Sequence, residues 1–298
     1  LKGVGVRVVS GAVLLALVLG ALWVQGLPLM GLVALATGLA AHELYTMARH
    51  AGYAPLYSAG IALSLLLGLR AYLGGDLLSA RSQPGPGTAA EVMVLAFVLI
   101  LALVQQGFGV ARASASVGPD AGAVIPEVAQ RGWANLGITL GGALYTGGLL
   151  GYAPLLAALP ASAGRAGGTA WLLMVLLGTA ACDIGAYFVG SLLGKRKLIP
   201  HISPAKTWEG LAGGTFGSVV AAVALSGLLQ ITLLQAVALG LLICAAAVSG
   251  DLCESMIKRA AGVKDSSHLI PGHGGILDRL DSILFVLLAV YWFVQVAL

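Results

Sequence analysis

The sequence predicts an all-α fold: a polytopic membrane bundle of about nine transmembrane helices with a cytoplasmic N-terminus. Three observations predict it. The 298 residues are 59% hydrophobic and 9% charged, with a mean hydropathy of +0.97, whereas soluble domains are roughly 45–50% apolar. Apolar runs approaching the roughly 20 residues needed to cross hydrocarbon recur along the chain. When those runs are alternated across a bilayer, the basic residues collect on one side.

The runs fall near 8–25, 28–47, 56–74, 90–110, 133–158, 169–193, 210–229, 231–250 and 280–297. The first follows Lys2 and Arg7 and has the flanks of a signal peptide. No small-residue cleavage site with a polar mature region follows it, so an uncleaved first span is expected. With the N-terminus inside, the cytoplasmic side receives Lys2, Arg7, Arg49, Arg112, Arg131, Lys195, Arg196, Lys197, Lys206, Lys258, Arg259, Lys264 and Arg279. The outside receives Arg70, Arg81 and Arg165. This asymmetry supports the orientation and the parity of the spans, and a multi-pass protein of the cell (inner or plasma) membrane is expected.

Two connections look irregular: 75–88, with Pro84-Gly85-Pro86-Gly87, and the polar 111–132, which has room for a short surface helix. The second is the expected boundary between an N-terminal bundle, 1–132, and a C-terminal catalytic region, 133–298. Glycines four apart, at Gly137/Gly141, Gly147/Gly151, Gly210/Gly214 and Gly213/Gly217, are a packing signal for helices in lipid.

The net charge of +4 and pI near 9.1 fit cytoplasmic loops on an anionic leaflet. No basic tract is interleaved with aromatics, so nucleic acid is not an expected partner. Cys182, Cys244 and Cys253 form no CxxC pair and read as small buried hydrophobes.

The charges concentrate between Ser249 and Ser282. Charged groups near a bilayer cost free energy, so this concentration needs a reason. Asp251, Asp278 and Asp281 are hard oxygen ligands suited to magnesium. Lys258, Arg259, Lys264 and Arg279 are cations suited to phosphate oxygens. The turn Pro271-Gly272-His273-Gly274-Gly275 would let backbone N–H groups approach an anion. Together these point to a metal–polyphosphate complex.

If the eighth span continues as helix, Asp251, Glu254, Ser255 and Lys258 share one face. Asp278 and Asp281 share another at the start of the last span, where opposed carboxylates suit a shared metal pair. His273 has three readings: a bond to phosphate, an orienter of an aspartate, or a fixer of the turn.

Two upstream segments join this group. In Cys182-Asp183-Ile184-Gly185-Ala186-Tyr187, Asp183 lies inside an apolar run. It is either a site residue or an aspartate bonded to a neighbouring helix. Ser203-Pro204-Ala205-Lys206-Thr207-Trp208-Glu209-Gly210 reads as a shaped loop entering a helix. Ser203, Lys206 and Thr207 are candidates for holding phosphate there, with a Lys206–Glu209 pair as the alternative.

The run Ser255, Lys258, Arg259, Lys264, Asp265, His273, Gly274, Gly275, Asp278, Arg279 and Asp281 resembles the C-terminal motif of the phosphatidate cytidylyltransferases, the CDP-diacylglycerol synthases. The segments CDIGAYFVG, SPAKTWEG and GDLCES resemble that family too, with Ile184 standing where the family often has threonine. The resemblance implies an integral membrane enzyme that makes CDP-diacylglycerol and pyrophosphate from CTP and phosphatidate. It implies magnesium, a second cation such as potassium, and a homodimer. By position it implies Asp251 and Asp278 as metal ligands with Asp281 close by, and Lys258, Arg259, Lys264 and Arg279 as phosphate-binding cations. Ser255, Gly274 and Gly275 join the substrate-binding candidates, and the site faces the cytoplasm.

Two other readings share some features. A CTP-using kinase of a lipid alcohol would need a base for the alcohol proton. A transporter would spread its polar residues through two related halves, whereas here they are bunched.

Overall fold

The computed structural model describes residues 2–73, 124–161, 166–270 and 274–297, with side chains from residue 9 and, in the second segment, from residue 131. The expected fourth span, both irregular connections up to residue 123, and His273 lie outside the described residues.

The described residues are helical almost throughout. In order it forms α1 (Lys2–Val24), α2 (Gly26–His50), α3 (Tyr57–Gly68), α4 (Arg70–Leu73) and α5 (Val124–Ala143). A π-helical turn, Leu144–Gly148, leads to α6 (Tyr152–Ala157) and α7 (Gly168–Leu193). A hairpin of β1 (Lys197–Ile199) and β2 (Ser203–Thr207) precedes α8 (Trp208–Ala224), α9 (Ser226–Leu229), α10 (Leu233–Ala260) and α11 (Leu277–Ala297). Among the described residues, α2, α7, α10 and α11 are long and apolar enough to cross a membrane, and Val9–Val24 and α3 are shorter apolar helices. This is an all-α membrane fold with one small hairpin.

The described chain packs as two compact units, 1–33 with 152–298, and 34–151. Residue 132 lies inside α5. In the second unit Leu63, Leu67 and Ala143 form a buried cluster. The Tyr45 hydroxyl donates to the Thr139 carbonyl at 2.7 Å, and Thr146 donates to Ser64 Oγ at 3.1 Å. A Cβ on Gly147 would fall 1.9 Å from the Ser64 carbonyl, so this glycine is a contact point, as is Gly151 against Leu67. Among the described residues, Gly137 and Gly141 meet nothing within 4 Å.

In the first unit α7 lies against α8, and α10 packs on both α8 and α11. The α7–α8 contact is backbone on backbone. A Cβ on Gly213 would sit 2.5 Å from the Gly185 carbonyl, and one on Gly217 would sit 2.3 Å from the Ala181 carbonyl. Small residues permit such approach in lipid, where dispersion replaces the hydrophobic effect between helices. Gly213→Ala is therefore expected to cost about 1–3 kcal/mol by overpacking. The check is a lowered thermal midpoint in detergent.

Gly250 does the same for α10 and α11. A Cβ there would lie 2.3 Å from the Asp281 carbonyl. Its absence brings α11 against α10 beside Asp251, so packing and site geometry are set by one residue.

The hairpin corrects the expectation of a loop over SPAKTWEG. Ser203–Thr207 pairs antiparallel with Lys197–Ile199, with a bulge between Lys197 and Ile199. The pairing is made to a segment upstream, so no alternating pattern within SPAKT announces it. Thr207 then caps α8: the Gly210 N–H donates to its Oγ1 at 3.0 Å.

Candidate active site

α10 is the first support. It carries its helix through the polar stretch to Ala260, so Asp251, Glu254, Ser255 and Lys258 lie on successive turns. The Ser255 hydroxyl donates to Asp251 Oδ1 at 3.3 Å, and Lys258 pairs with Glu254 at i,i+4. The shared face expected from spacing is present.

The hairpin supplies the partner for Asp251. Lys206 Nζ lies 2.8 Å from Asp251 Oδ2. The alternative pairing of Lys206 with Glu209 is not the one formed. Glu209 instead accepts the backbone N–H groups of Lys195, at 3.1 Å, and Arg196, at 3.2 and 3.4 Å. These bonds tie the hairpin to the start of α8. The N–H of Glu209 itself, then that of Lys195, hold its carboxyl below the usual carboxylate range. A lowered folded value means that this tie is present above the ordinary range and is lost as pH falls through the lowered one. Amide protection at Lys195 and Arg196 is thus expected to hold at neutral pH and fail in acid. Glu209→Gln should lower that protection at neutral pH and flatten its pH dependence, as read by hydrogen exchange.

α11 is the second support, and Asp278 stands in its first turn. Lys258 Nζ donates to Asp278 Oδ1 at 2.7 Å. The Ser266 N–H at 3.0 Å, the Ser266 hydroxyl at 2.9 Å and the Gly275 N–H at 2.9 Å all donate to Asp278 Oδ2. The glycine turn does present a backbone N–H to an anion, and the anion is the Asp278 carboxylate. Gly274 has φ +84°, and a Cβ there would meet Asp278 Oδ2 at 3.0 Å, so glycine is required. Ser266 is the contributor that sequence reasoning missed. One of two adjacent loop serines, it carries no spacing signal.

Two clefts adjoin these groups. One, of about 530 Å³, is lined by Asp183, Ser203, Lys206, Thr207 and Asp251 together with the apolar Tyr187, Leu198, Leu211 and Val248. The other, of about 180 Å³, is lined by Asp183, Asp278, Arg279 and Asp281. Asp183 borders both. It interacts electrostatically with Asp251, Lys206 and Arg279, and Asp281 does so with Asp251, Lys258 and Asp183. Asp281 Oδ1 also accepts its neighbour Ser282's N–H at 2.7 Å. The structure thus groups Asp183, Asp251 and Asp281, with Asp278 joining through Lys258 and the smaller cleft.

Other expected residues are less engaged with these groups. Arg259 Nε donates to the Ile202 carbonyl at 3.4 Å, touching the hairpin turn. Lys264 and Arg279 are exposed, Lys264 in the loop after α10 and Arg279 at the mouth of the smaller cleft.

Among the described residues no three His, Cys, Asp or Glu side chains are set to close on one ion. The donor chemistry still fits magnesium, which takes one or two carboxylates and completes its shell with substrate phosphate oxygens and water. Three mutually interacting carboxylates beside an open cleft meet that description.

Fold and cleft together define a helical membrane protein with a charged, half-apolar recess set among its helices. The chain belongs to the cytidylyltransferase family, whose profile matches residues 5–297. It is 36% identical to a Synechocystis protein named phosphatidate cytidylyltransferase, over 98% of this chain and 97% of that protein. A Bacillus subtilis protein of the same name is 50% identical over 37% of this chain and 42% of that protein. An uncharacterised Escherichia coli protein, YnbB, is 43% identical over 43% of this chain and 44% of that one. The latter two alignments thus span less than half of those relatives, and the Synechocystis alignment spans nearly all of its own.

Proposed function

We propose that this chain is a membrane phosphatidate cytidylyltransferase, converting CTP and phosphatidate to CDP-diacylglycerol and pyrophosphate in phospholipid biosynthesis. Family membership and the end-to-end match to the Synechocystis enzyme support the reading. The structural observation that carries it is the placement of Lys206–Asp251 and Lys258–Asp278 around clefts that share Asp183. Paired acids and bases beside an apolar wall suit an anionic phosphate that is tethered to acyl chains.

In this reading an oxygen of the phosphatidate phosphate attacks the α-phosphorus of CTP. The bond from that phosphorus to the bridging oxygen of the β-phosphate breaks, and pyrophosphate leaves in line. The attacking phosphate is largely deprotonated at neutral pH, so no side chain need take a proton from it. The protein positions two anions and offsets their charge. Lys206 acts from the hairpin and Lys258 from α10, with Arg279 at the mouth of the smaller cleft and Arg259 and Lys264 at the rim. Ser203, Thr207 and Ser255 offer hydroxyls, Gly274 and Gly275 lie against Asp278, and His273 is assigned to substrate binding. Asp251, Asp278 and Asp281 are the carboxylates assigned to magnesium, with Asp183 beside them. When bound, the ion neutralises triphosphate oxygens.

The same reading includes a second cation such as potassium, a homodimer, and nine spans in the cell membrane with a cytoplasmic N-terminus. Catalysis belongs to 133–298, with 1–132 as the anchoring bundle.

The test uses purified protein in detergent with labelled CTP, magnesium and phosphatidate. A lipid-soluble CDP product and equimolar pyrophosphate are expected. Release of CDP with phosphorylation of a lipid alcohol would replace this reading with a kinase. Absence of turnover in a folded sample that binds CTP would overturn it.

A further inference from the structure

Glu254 is the fully buried carboxylate of α10, and the proposed chemistry leaves it unused. Its side chain is 0% exposed. Among the described residues neither of its oxygens meets a donor in hydrogen-bonding geometry. What the carboxylate meets is the Lys258 ammonium, one turn on, as an ion pair, and beside it the Asp278 carboxyl of α11. A charge removed from water this fully costs several kcal/mol if left alone, so packing by itself gives no reason for a glutamate here.

The same ammonium reaches Asp278 Oδ1 on α11 at 2.7 Å. Lys258 is thus shared by two carboxylates from two helices, and its side chain is only 13% exposed. A lysine stem has four rotatable bonds and would sample many positions from α10. The i,i+4 pair with Glu254 restricts it on its own helix before it reaches across. From the opposite side Ser266 and Gly275 hold Asp278 through its other oxygen. Every polar atom of Asp278 is then directed, one side by the loop and the other by Lys258.

We propose that Glu254 is a positioning residue: it acts through Lys258 to fix the orientation of the Asp278 carboxylate at the smaller cleft. It touches neither substrate, and its effect is on kcat more than on binding. The inference rests on the reading of Asp278 as a site carboxylate.

The test compares wild type with Glu254→Gln, Lys258→Met and the double variant, all in detergent, by steady-state turnover of CTP with phosphatidate. Glu254→Gln keeps the shape and removes the charge. It should lower kcat about 10- to 100-fold, the range for residues that orient a ligand from behind, while KM for CTP changes less than threefold. The double variant should be no slower than Lys258→Met, because both act through one contact. A merely structural glutamate would lower the thermal midpoint, leave kcat of the folded fraction unchanged, and give losses that multiply in the double variant. Either of the last two results overturns the proposal. Should the single variants fail to fold, Glu254→Met with Lys258→Met removes both members of that pair together, while Asp278 keeps its bonds from Ser266 and Gly275. Wild-type kcat in that protein would equally overturn it. Wild-type turnover is read in the same assay, so failure of the reaction assignment is distinguishable from failure of this inference.

Discussion

Replacing Asp278 by asparagine is expected to lower turnover about 100-fold or more, the scale seen when a charged group aimed at a reacting centre is removed. The amide keeps the size of the carboxylate and forfeits two things. It loses the charge that faces Lys258 Nζ at 2.7 Å. It also cannot accept at both oxygens, where the Ser266 N–H, the Ser266 hydroxyl and the Gly275 N–H converge on Oδ2. Whichever way the amide turns, its NH2 opposes a donor. Hydrogen bonds to charged groups contribute about 1.5–3 kcal/mol each, so the loop from Ser266 to Gly275 should loosen as well. Asp278→Asn is therefore expected to combine lost turnover with faster hydrogen exchange at Ser266 and Gly275. Full turnover with a loosened loop would make Asp278 a structural clasp. Lost turnover with an unchanged loop would make the charge itself decisive.

Much of this geometry is legible before any coordinates. The spans α7, α10 and α11 follow from apolar run length, which the bilayer fixes. The Asp251–Ser255 and Glu254–Lys258 contacts follow from four-residue spacing on one helix, because neighbours on a helix face are fixed by pitch. That α8 packs closely on some neighbouring helix follows from Gly210, Gly213, Gly214 and Gly217; that the neighbour is α7 does not. What was not legible joins segments distant in the chain. Lys206 meets Asp251 only because Ser203–Thr207 pairs with Lys197–Ile199, and that pairing is a property of two segments. Asp251 and Asp281 come together where Gly250 lets α10 and α11 close, and a single glycine in a chain with 43 gives no sign of which neighbour it admits. Ser266 serves Asp278 across a loop, where no period relates the two.

The consequence of the hairpin is the second large effect. Lys206→Met is expected to reduce kcat/KM for CTP about 10- to 100-fold, the equivalent of one charge-assisted hydrogen bond to phosphate. Lys206 is the cation that the hairpin carries into the larger cleft, 2.8 Å from Asp251 and within electrostatic reach of Asp183. Removing it leaves Asp183, Asp251 and Asp281 facing one another with less opposing charge, so an incoming triphosphate meets a more negative wall. Two roles then separate by measurement. A lysine that only balances Asp251 in the folded protein would lower the thermal midpoint and leave kcat/KM of the folded enzyme unchanged. A lysine that also meets phosphate would lower kcat/KM, with added salt narrowing the gap between variant and wild type because the contact is partly exposed and therefore screened. Lys206→Arg sharpens the distinction. It keeps the charge but replaces a compact ammonium by a planar fork, so it should restore the midpoint while recovering only part of kcat/KM. Unchanged kcat/KM in Lys206→Met would remove the hairpin from the substrate path and leave α10 and α11 as the phosphate-facing elements.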